Sequence, residues 1–388
     1  MCGTMVKKAL KVVFDYIKHL DKILILLCLT ASSFGILLLY SMYSNDFADV
    51  SAAYYQTQIY ALVIGFVAML TVAAIDYRFI SKIWFIYAPV ALILVFLLFT
   101  PLGLQANGAD DIGWLNLGFI TIQPSELLKV TFIMTFSTHL YKLGKNMNRL
   151  PHFALLCLHG LFPVALISYQ GDDGTAIVFL FMFVVMMLVA GLALRYIIAG
   201  CIAVPVGIYF VWNYIMQAHH KARILVLFDP EMQEAEIKGI WFQQYWGKVA
   251  MGTGKMTGVG LFGGDYVYTS FIHNDFIFAY IGNALGFVGC ICTVVLLLLI
   301  CMKVYMNSVQ TKNKMGQIIC IGVFAMLLIH CILNIGMVLA VMPVIGIPLP
   351  FISAGGTSTV ALYVSMGLVL SVYGHREKKY HMFYTEKD

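Results

Sequence analysis

Glu126 and Lys129 stand three residues apart in the stretch QPSELLK, inside a run that is otherwise apolar. That spacing puts a carboxylate and an ammonium on one face of a helix, where they pair. An unpaired charge at bilayer depth costs about 2.5–3.5 kcal/mol on insertion scales, so such residues face a bundle interior or a wet cavity. Two readings stay open: a pair that orients two helices, or a pair that meets a ligand. Asp275 is the second case. It sits in HNDFIFAYIGNALGFVG with no Lys or Arg beside it in sequence. Asn274 and Asp275 both suit a helix N-cap. On the residues alone the helix cap is the favoured reading.

The elements that must position these groups are membrane spans. Of 388 residues, 61% are hydrophobic and 11% charged, against roughly 45–50% and 25% in an average soluble domain. A soluble fold cannot hide that much apolar surface. Apolar runs long enough to cross a bilayer fall at about 23–43, 59–75, 83–100, 124–143, 153–169, 175–192, 196–216, 276–302, 318–341 and 357–373. The expectation is an all-α integral membrane protein of about ten transmembrane helices. Residues 1–22 form a cytoplasmic N-terminal segment, 23–373 the membrane domain, and 374–388 a cytoplasmic tail. A long extracytoplasmic loop, about 217–274, joins spans seven and eight. With the N-terminus inside, 18 of the 24 basic residues fall on the cytoplasmic side. The short outer loops carry Asp46, Asp49, Asp110, Asp111, Asp172 and Asp173 and no Lys or Arg. The net charge of +5 is therefore topology, not a nucleic-acid surface. No cleavable signal peptide is read at the N-terminus. The nine cysteines lie in apolar runs or at the cytoplasmic end and read as small buried hydrophobes.

Three outer segments are too polar or too long to be plain connectors: 101–123, 217–274, and the Pro- and Gly-rich 342–358. The last must be buried in protein or line a cavity, because irregular backbone is not tolerated against lipid. EAEIKGIWFQQYWGKVAMG reads either as a helix in the outer interface, with Trp241, Tyr245 and Trp246 at headgroup depth, or as a packed loop helix. GTGKMTGVGLFGG lacks the P-loop spacing and follows no strand. Its glycines still permit close backbone approach to a phosphate.

At these same segments the sequence resembles the SEDS family of shape, elongation, division and sporulation proteins, which includes RodA, FtsW and SpoVE. The matching blocks are GWLNLGFITIQPSELLKV (113–130), GTAIVF (174–179), GLFGG (260–264), NDFIFAYIGNALGFVG (274–289) and NIGMV…MPVIGIPLPFISAGGTS (334–358). The NIGM stretch is closer to the RodA branch. The resemblance implies a ten-span glycosyltransferase of the bacterial cytoplasmic membrane that polymerises lipid II on its outer face. It also implies a single-span class B penicillin-binding protein as partner. Asp275 takes the place of the essential acid and would act as general base. Trp114, Glu126, Lys129, Lys248, Ser353, Gly355 and Gly356 are the expected substrate-binding set. No protein metal site is expected, with a divalent cation (Mg or Mn) left open. Single displacement with one base predicts inversion at the sugar. The chain departs from the family pattern at Asp110-Asp111, where basic residues are usual, at Ser270–His273, at Asn283-Ala284, where an acidic pair is usual, and at Ala354. Lys248, Lys255 and Arg223 are candidates to supply the missing positive charge. A lipid-precursor transporter and a non-catalytic scaffold are the competing readings.

Overall fold

The computed structural model describes residues 19–47, 50–105, 112–118 and 120–376. Asp49, the Asp110-Asp111 departure, the segment before His19 and the tail beyond Arg376 lie outside the described residues. In chain order, α1 (Lys22–Ser44) and α2 (Ala52–Ala74) lead through a short α3 (Tyr77–Lys82) to α4 (Trp84–Phe96), which a 3-10 turn extends to Phe99. An antiparallel sheet follows, made of β1 (Gly103–Leu104), β2 (Trp114–Asn116) and β3 (Thr121–Ile122), with Leu104 opposite Trp114 and Leu115 opposite Ile122. Next come α5 (Pro124–Leu143), α6 (Leu150–Tyr169), α7 (Asp173–Ala190) and α8 (Leu194–Phe210). The long loop folds into α9 (Ala218–Leu225), α10 (Pro230–Ala235) and α11 (Phe242–Thr253). The chain then closes with α12 (Ile277–Gln310), α13 (Lys314–Val338) and α14 (Gly356–Gly374).

Among the described residues eight helices are long and apolar enough to cross a membrane: α1, α2, α6, α7, α8, α12, α13 and α14. The chain is a multi-pass helical membrane protein, as its composition implies. The other two expected spans are helical but differ in kind. Trp84–Phe99 is a shorter apolar helix, and α5 is 20 residues long but carries Glu126, Lys129 and Lys142. The small sheet is an addition to the helical architecture that the hydropathy pattern did not suggest. Its Trp, Leu, Thr and Ile positions favour extended backbone, and the pairing satisfies peptide groups that no helix takes up.

Helix α13 is the centre of the bundle. In its most apolar stretch 72% of residues are buried, against none in α8, and it packs on α5, α7, α11, α12 and α14. Helix α14 lies against α2, where Gly65 meets the Tyr363 ring and Gly367 meets the backbone of Met69. Small residues let two spans approach where lipid supplies no hydrophobic driving force.

The loop helix α11 packs on α12 and α13 through one face, while Trp246 on its other side stays exposed. Trp241, expected at headgroup depth, is only 4% exposed. Gln244 Nε2 donates to Met337 O at 2.9 Å and Met342 O at 2.7 Å. The glycine-rich stretch after it is likewise spent on the chain itself. Val259 N donates to Asn283 O and Gly260 N to Ala284 O, each at 3.0 Å. Helix α12 breaks at Gly286 (φ 67°), so that Phe287 N and Val288 N reach the carbonyls of Lys255 and Met256. A Cβ at Gly286 would strike the backbone of Met256 and Gly258. Asn283 seals the joint: its Nδ2 donates to Ala250 O (3.0 Å) and Thr253 Oγ1 (2.7 Å), and its Oδ1 accepts from Val267 N (3.1 Å). The departure at this position therefore serves packing.

Candidate functional site

A cavity of about 370 Å³ opens where the N-termini of α5 and α7, helix α9, the turn before α12 and the Pro-rich loop converge. Trp114, Glu126, Asp275 and Gly355, all expected from the sequence, line it. Pro124 in the first turn of α5 fixes the approach to Glu126, and β2 presents Trp114.

Glu126 and Lys129 pair as their spacing requires, Nζ to Oε1 at 2.9 Å, and both are buried (4% and 1% exposed). The ammonium has a second partner that the sequence did not reveal: His330 Nε2 on α13, at 3.0 Å. His330 Nδ1 lies 2.7 Å from Met326 O. A carbonyl oxygen only accepts, so Nδ1 carries the ring hydrogen and Nε2 offers its lone pair to Lys129. Glu126 and His330 line the cavity, with Lys129 behind them.

Asp275 is not a helix cap. The N-cap of α12 is Phe276, with no side-chain capping bond. Asp275 lies instead in a turn closed by Asn274 N and Phe276 N donating to Phe271 O. Two groups fix this turn to the rest of the site. Asn334 Nδ2 donates to Asp275 O at 2.8 Å and to Ile347 O at 2.7 Å. Ser353 Oγ donates to Asn274 O at 2.7 Å and accepts from Leu349 N at 2.8 Å. Across the cavity, Gly346 (φ 67°) comes so close that an added Cβ would sit 3.5 Å from Asp275 Oδ2. Ala354 N donates to His273 O, and the His273 ring contacts Tyr54 with centroids 4.2 Å apart. Burial pushes the His273 imidazole below its ordinary pKa.

The remaining expected residues are placed differently. Ser353 is buried in the scaffold just described and does not line the cavity. Gly356 starts α14 and faces Thr57. Lys248 lies over the Trp241 ring, Nζ 5.5 Å from its centroid, away from the cavity. Its aliphatic stem and charge follow the loop helix, whose inner face is taken up by α12 and α13. Of the three candidate cations only Arg223 lines the cavity, beside His220, whose Nδ1 is 3.8 Å from Asp173 Oδ2. Gly355 is held by its amide, which donates to Gln58 Oε1 at 3.1 Å. Among the described residues no three His, Cys, Asp or Glu side chains stand together to hold a metal ion.

The site therefore gathers the carboxylates of Asp275, Glu126, Asp172 and Asp173, the Arg223 guanidinium and the imidazoles of His220 and His330 around one cavity, with the buried Lys129 ammonium behind Glu126 and His330. That is the equipment to take a proton from one group while stabilising negative charge on another.

Residues 19–378 match the family model described as "Cell cycle protein", which covers FtsW, RodA and SpoVE. The chain is 27% identical over 368 residues to the peptidoglycan glycosyltransferase MrdB of Escherichia coli K12, spanning 92% of this chain and 95% of MrdB. It is 30% identical over 371 residues to a probable peptidoglycan glycosyltransferase FtsW of Geobacter sp. strain M18, spanning 91% and 96%. A chain solved in a peptidoglycan synthase complex superposes with a TM-score of 0.76 at 25% identity, over 92% of this chain and 98% of that one. RodA of Thermus thermophilus shares the fold, with a TM-score of 0.67 at 24% identity over 92% and 97%. With the match extending from the start of α1 to beyond α14, the chain belongs to the FtsW/RodA/SpoVE family of cell cycle proteins.

Proposed function

We propose that this chain is a peptidoglycan glycosyltransferase that polymerises lipid II, with Asp275 as general base. The observation that carries this reading is the shared cavity: Asp275, Trp114 and Arg223 line one space together with Glu126 and His330, both of which bond the buried Lys129. In the reaction a sugar hydroxyl of one lipid-linked saccharide attacks the anomeric carbon of another. Its proton passes to the Asp275 carboxylate as the new glycosidic C–O bond forms. The old bond to pyrophosphate breaks, and its electron pair leaves with the polyprenyl pyrophosphate. Attack and departure on opposite faces invert the anomeric carbon. Arg223 and the buried Lys129 favour the departing anion more than the ground state, which is what accelerates the step. A divalent cation, Mg or Mn, would add positive charge beside the departing pyrophosphate.

The proposed setting is the bacterial cytoplasmic membrane, with both termini inside and the cavity outside, as the basic loops on the opposite face support. The proposed partner is a class B penicillin-binding protein that crosslinks the product. The test is to give lipid II to the purified chain with that partner and compare wild type with Asp275→Asn. Wild type is expected to make glycan strands, and the variant to be slower by about 10²–10⁴-fold. Full activity in Asp275→Asn would remove the base. Absence of strands together with movement of labelled precursor across vesicles would replace the enzyme by a transporter, and absence of both by a scaffold.

A further inference from the structure

Two side chains of α13, one helical turn apart, hold the two halves of the proposed site. His330 receives Lys129 from α5 at 3.0 Å, and Asn334 grips the Asp275 backbone and the Pro-rich loop at 2.8 and 2.7 Å. We infer that His330 and Asn334 are positioning residues that set the distance between the buried cation and the carboxylate, an inference that rests on the function proposed above.

Each contact has a single chemical arrangement. His330 is locked by the Met326 carbonyl as an Nδ1–H tautomer, so it meets Lys129 as a neutral acceptor. With Glu126 it occupies two of the three ammonium hydrogens, which pins a long, flexible side chain that is almost wholly buried. Asn334 is fully buried and spends both Nδ2 hydrogens on carbonyls of two separate loops. Its Oδ1 has no hydrogen-bond partner among the described residues. A buried orphan acceptor costs stability. An apolar side chain would remove that cost but release Asp275 O and Ile347 O. The asparagine is thus better explained by alignment than by stability. The α-helix supplies the ruler: four residues span about 6 Å along a rigid axis. Helix α13 is the most buried of the eight spans, so the ruler itself is fixed. A displacement along that axis moves the proton acceptor and the anion-stabilising charge relative to the carbon between them.

The test uses the full chain with its partner and lipid II, and compares His330→Leu, His330→Gln, Asn334→Leu and wild type. A misplacement of about 1 Å lowers turnover on the order of 10²-fold, so both leucine variants are expected to lose about that much in kcat with little change in KM. Glutamine offers an oxygen where Nε2 stood, so His330→Gln is expected to recover most of the loss. If glutamine is as poor as leucine while both unfold at the same temperature, or if the leucine variants turn over normally, the inference is overturned. A second readout needs no turnover: ¹⁵N spectra of histidine-labelled protein. The His330 Nε2 resonance is expected at an unprotonated position and to move in Lys129→Met but not in Asp275→Asn. A resonance that ignores Lys129 overturns the tie. A wild type that makes no glycan while this signature holds counts against the proposed function alone.

Discussion

Asp21, in the turn that starts α1, and Lys303, two turns before the end of α12, form an ion pair with Nζ 3.1 Å from Oδ2. Asp21 is 3% exposed, accepts from Asn307 Nδ2 at 3.0 Å, and caps α1 through Leu24 N at 3.3 Å. One carboxylate thus joins the first span to α12 and satisfies a helix terminus. Asp21→Ala leaves Lys303 without this partner and uncaps α1. It is expected to destabilise the fold by about 3 kcal/mol or more, with Asp21→Asn milder because the cap survives. Thermal unfolding in detergent measures this, and equal midpoints for all three proteins would refute it.

Gly346 offers a sharper probe of the cavity. Its φ of 67° suits glycine, and alanine there adds strain of about 1–2 kcal/mol. The new methyl also enters the space in front of Asp275 Oδ2. Gly346→Ala is expected to lower kcat/KM by at least about tenfold, equivalent to about 1.4 kcal/mol, in the lipid II assay. Unchanged kinetics would mean that substrate does not use that approach to Asp275.

Arg223 and Lys248 separate the two faces of the long loop. Arg223 lines the cavity and Lys248 rests on Trp241. Arg223→Ala is expected to reduce kcat/KM by about tenfold or more, as expected when a charge that meets a pyrophosphate is lost. Lys248→Ala is expected to leave the kinetics near wild type. The reverse ranking would place the pyrophosphate on the other side of α11.

The pH dependence of stability follows from His273. Burial depresses its pKa in the native state, so the unfolded chain binds the proton more readily. Its contribution to stability is complete above the ordinary histidine value of about 6.5 and is lost progressively as pH falls below it toward the native value. His273→Phe keeps a ring against Tyr54 and leaves the backbone carbonyl for Ala354 N. Unfolding midpoints measured from pH 8 to pH 5 are expected to fall more steeply in wild type than in this variant.

What was legible in the sequence was local. Glu126 and Lys129 pair because a helix brings residues three apart onto one face, and the spans follow from length and apolarity. What was hidden depended on which helices touch. His330 is 201 residues from Lys129, and a histidine inside an apolar run reads as ordinary core until α5 is packed beside α13. Ser353 stands in a motif that reads as a binding loop, yet its hydroxyl serves backbone groups at Asn274 and Leu349, which no side-chain pattern encodes. Arg223 and Lys248 look alike in sequence, because the fold of the long loop alone decides which one turns inward. In the glycine-rich stretch Gly258 does make a close approach, against the backbone of Ala284 and Leu285.

Helix α8 carries no buried residue along its length. Its first turn is tied to the rest of the chain, with the Tyr196 ring stacked on Phe153 at 3.8 Å and its hydroxyl bonded to Asn148 O, but beyond that turn the sequence is held mainly to length and oiliness, since Ile198, Ile202, Val204, Val206 and Ile208 are all exposed. Substitutions that keep those two properties are neutral for the fold, whereas in α13 almost every change meets a packed neighbour. Over evolutionary time the two helices should therefore run at different rates, with α8 drifting freely among aliphatic residues while α13 stays nearly fixed. Rate variation along the chain would be a record of which spans are structure and which are merely passage.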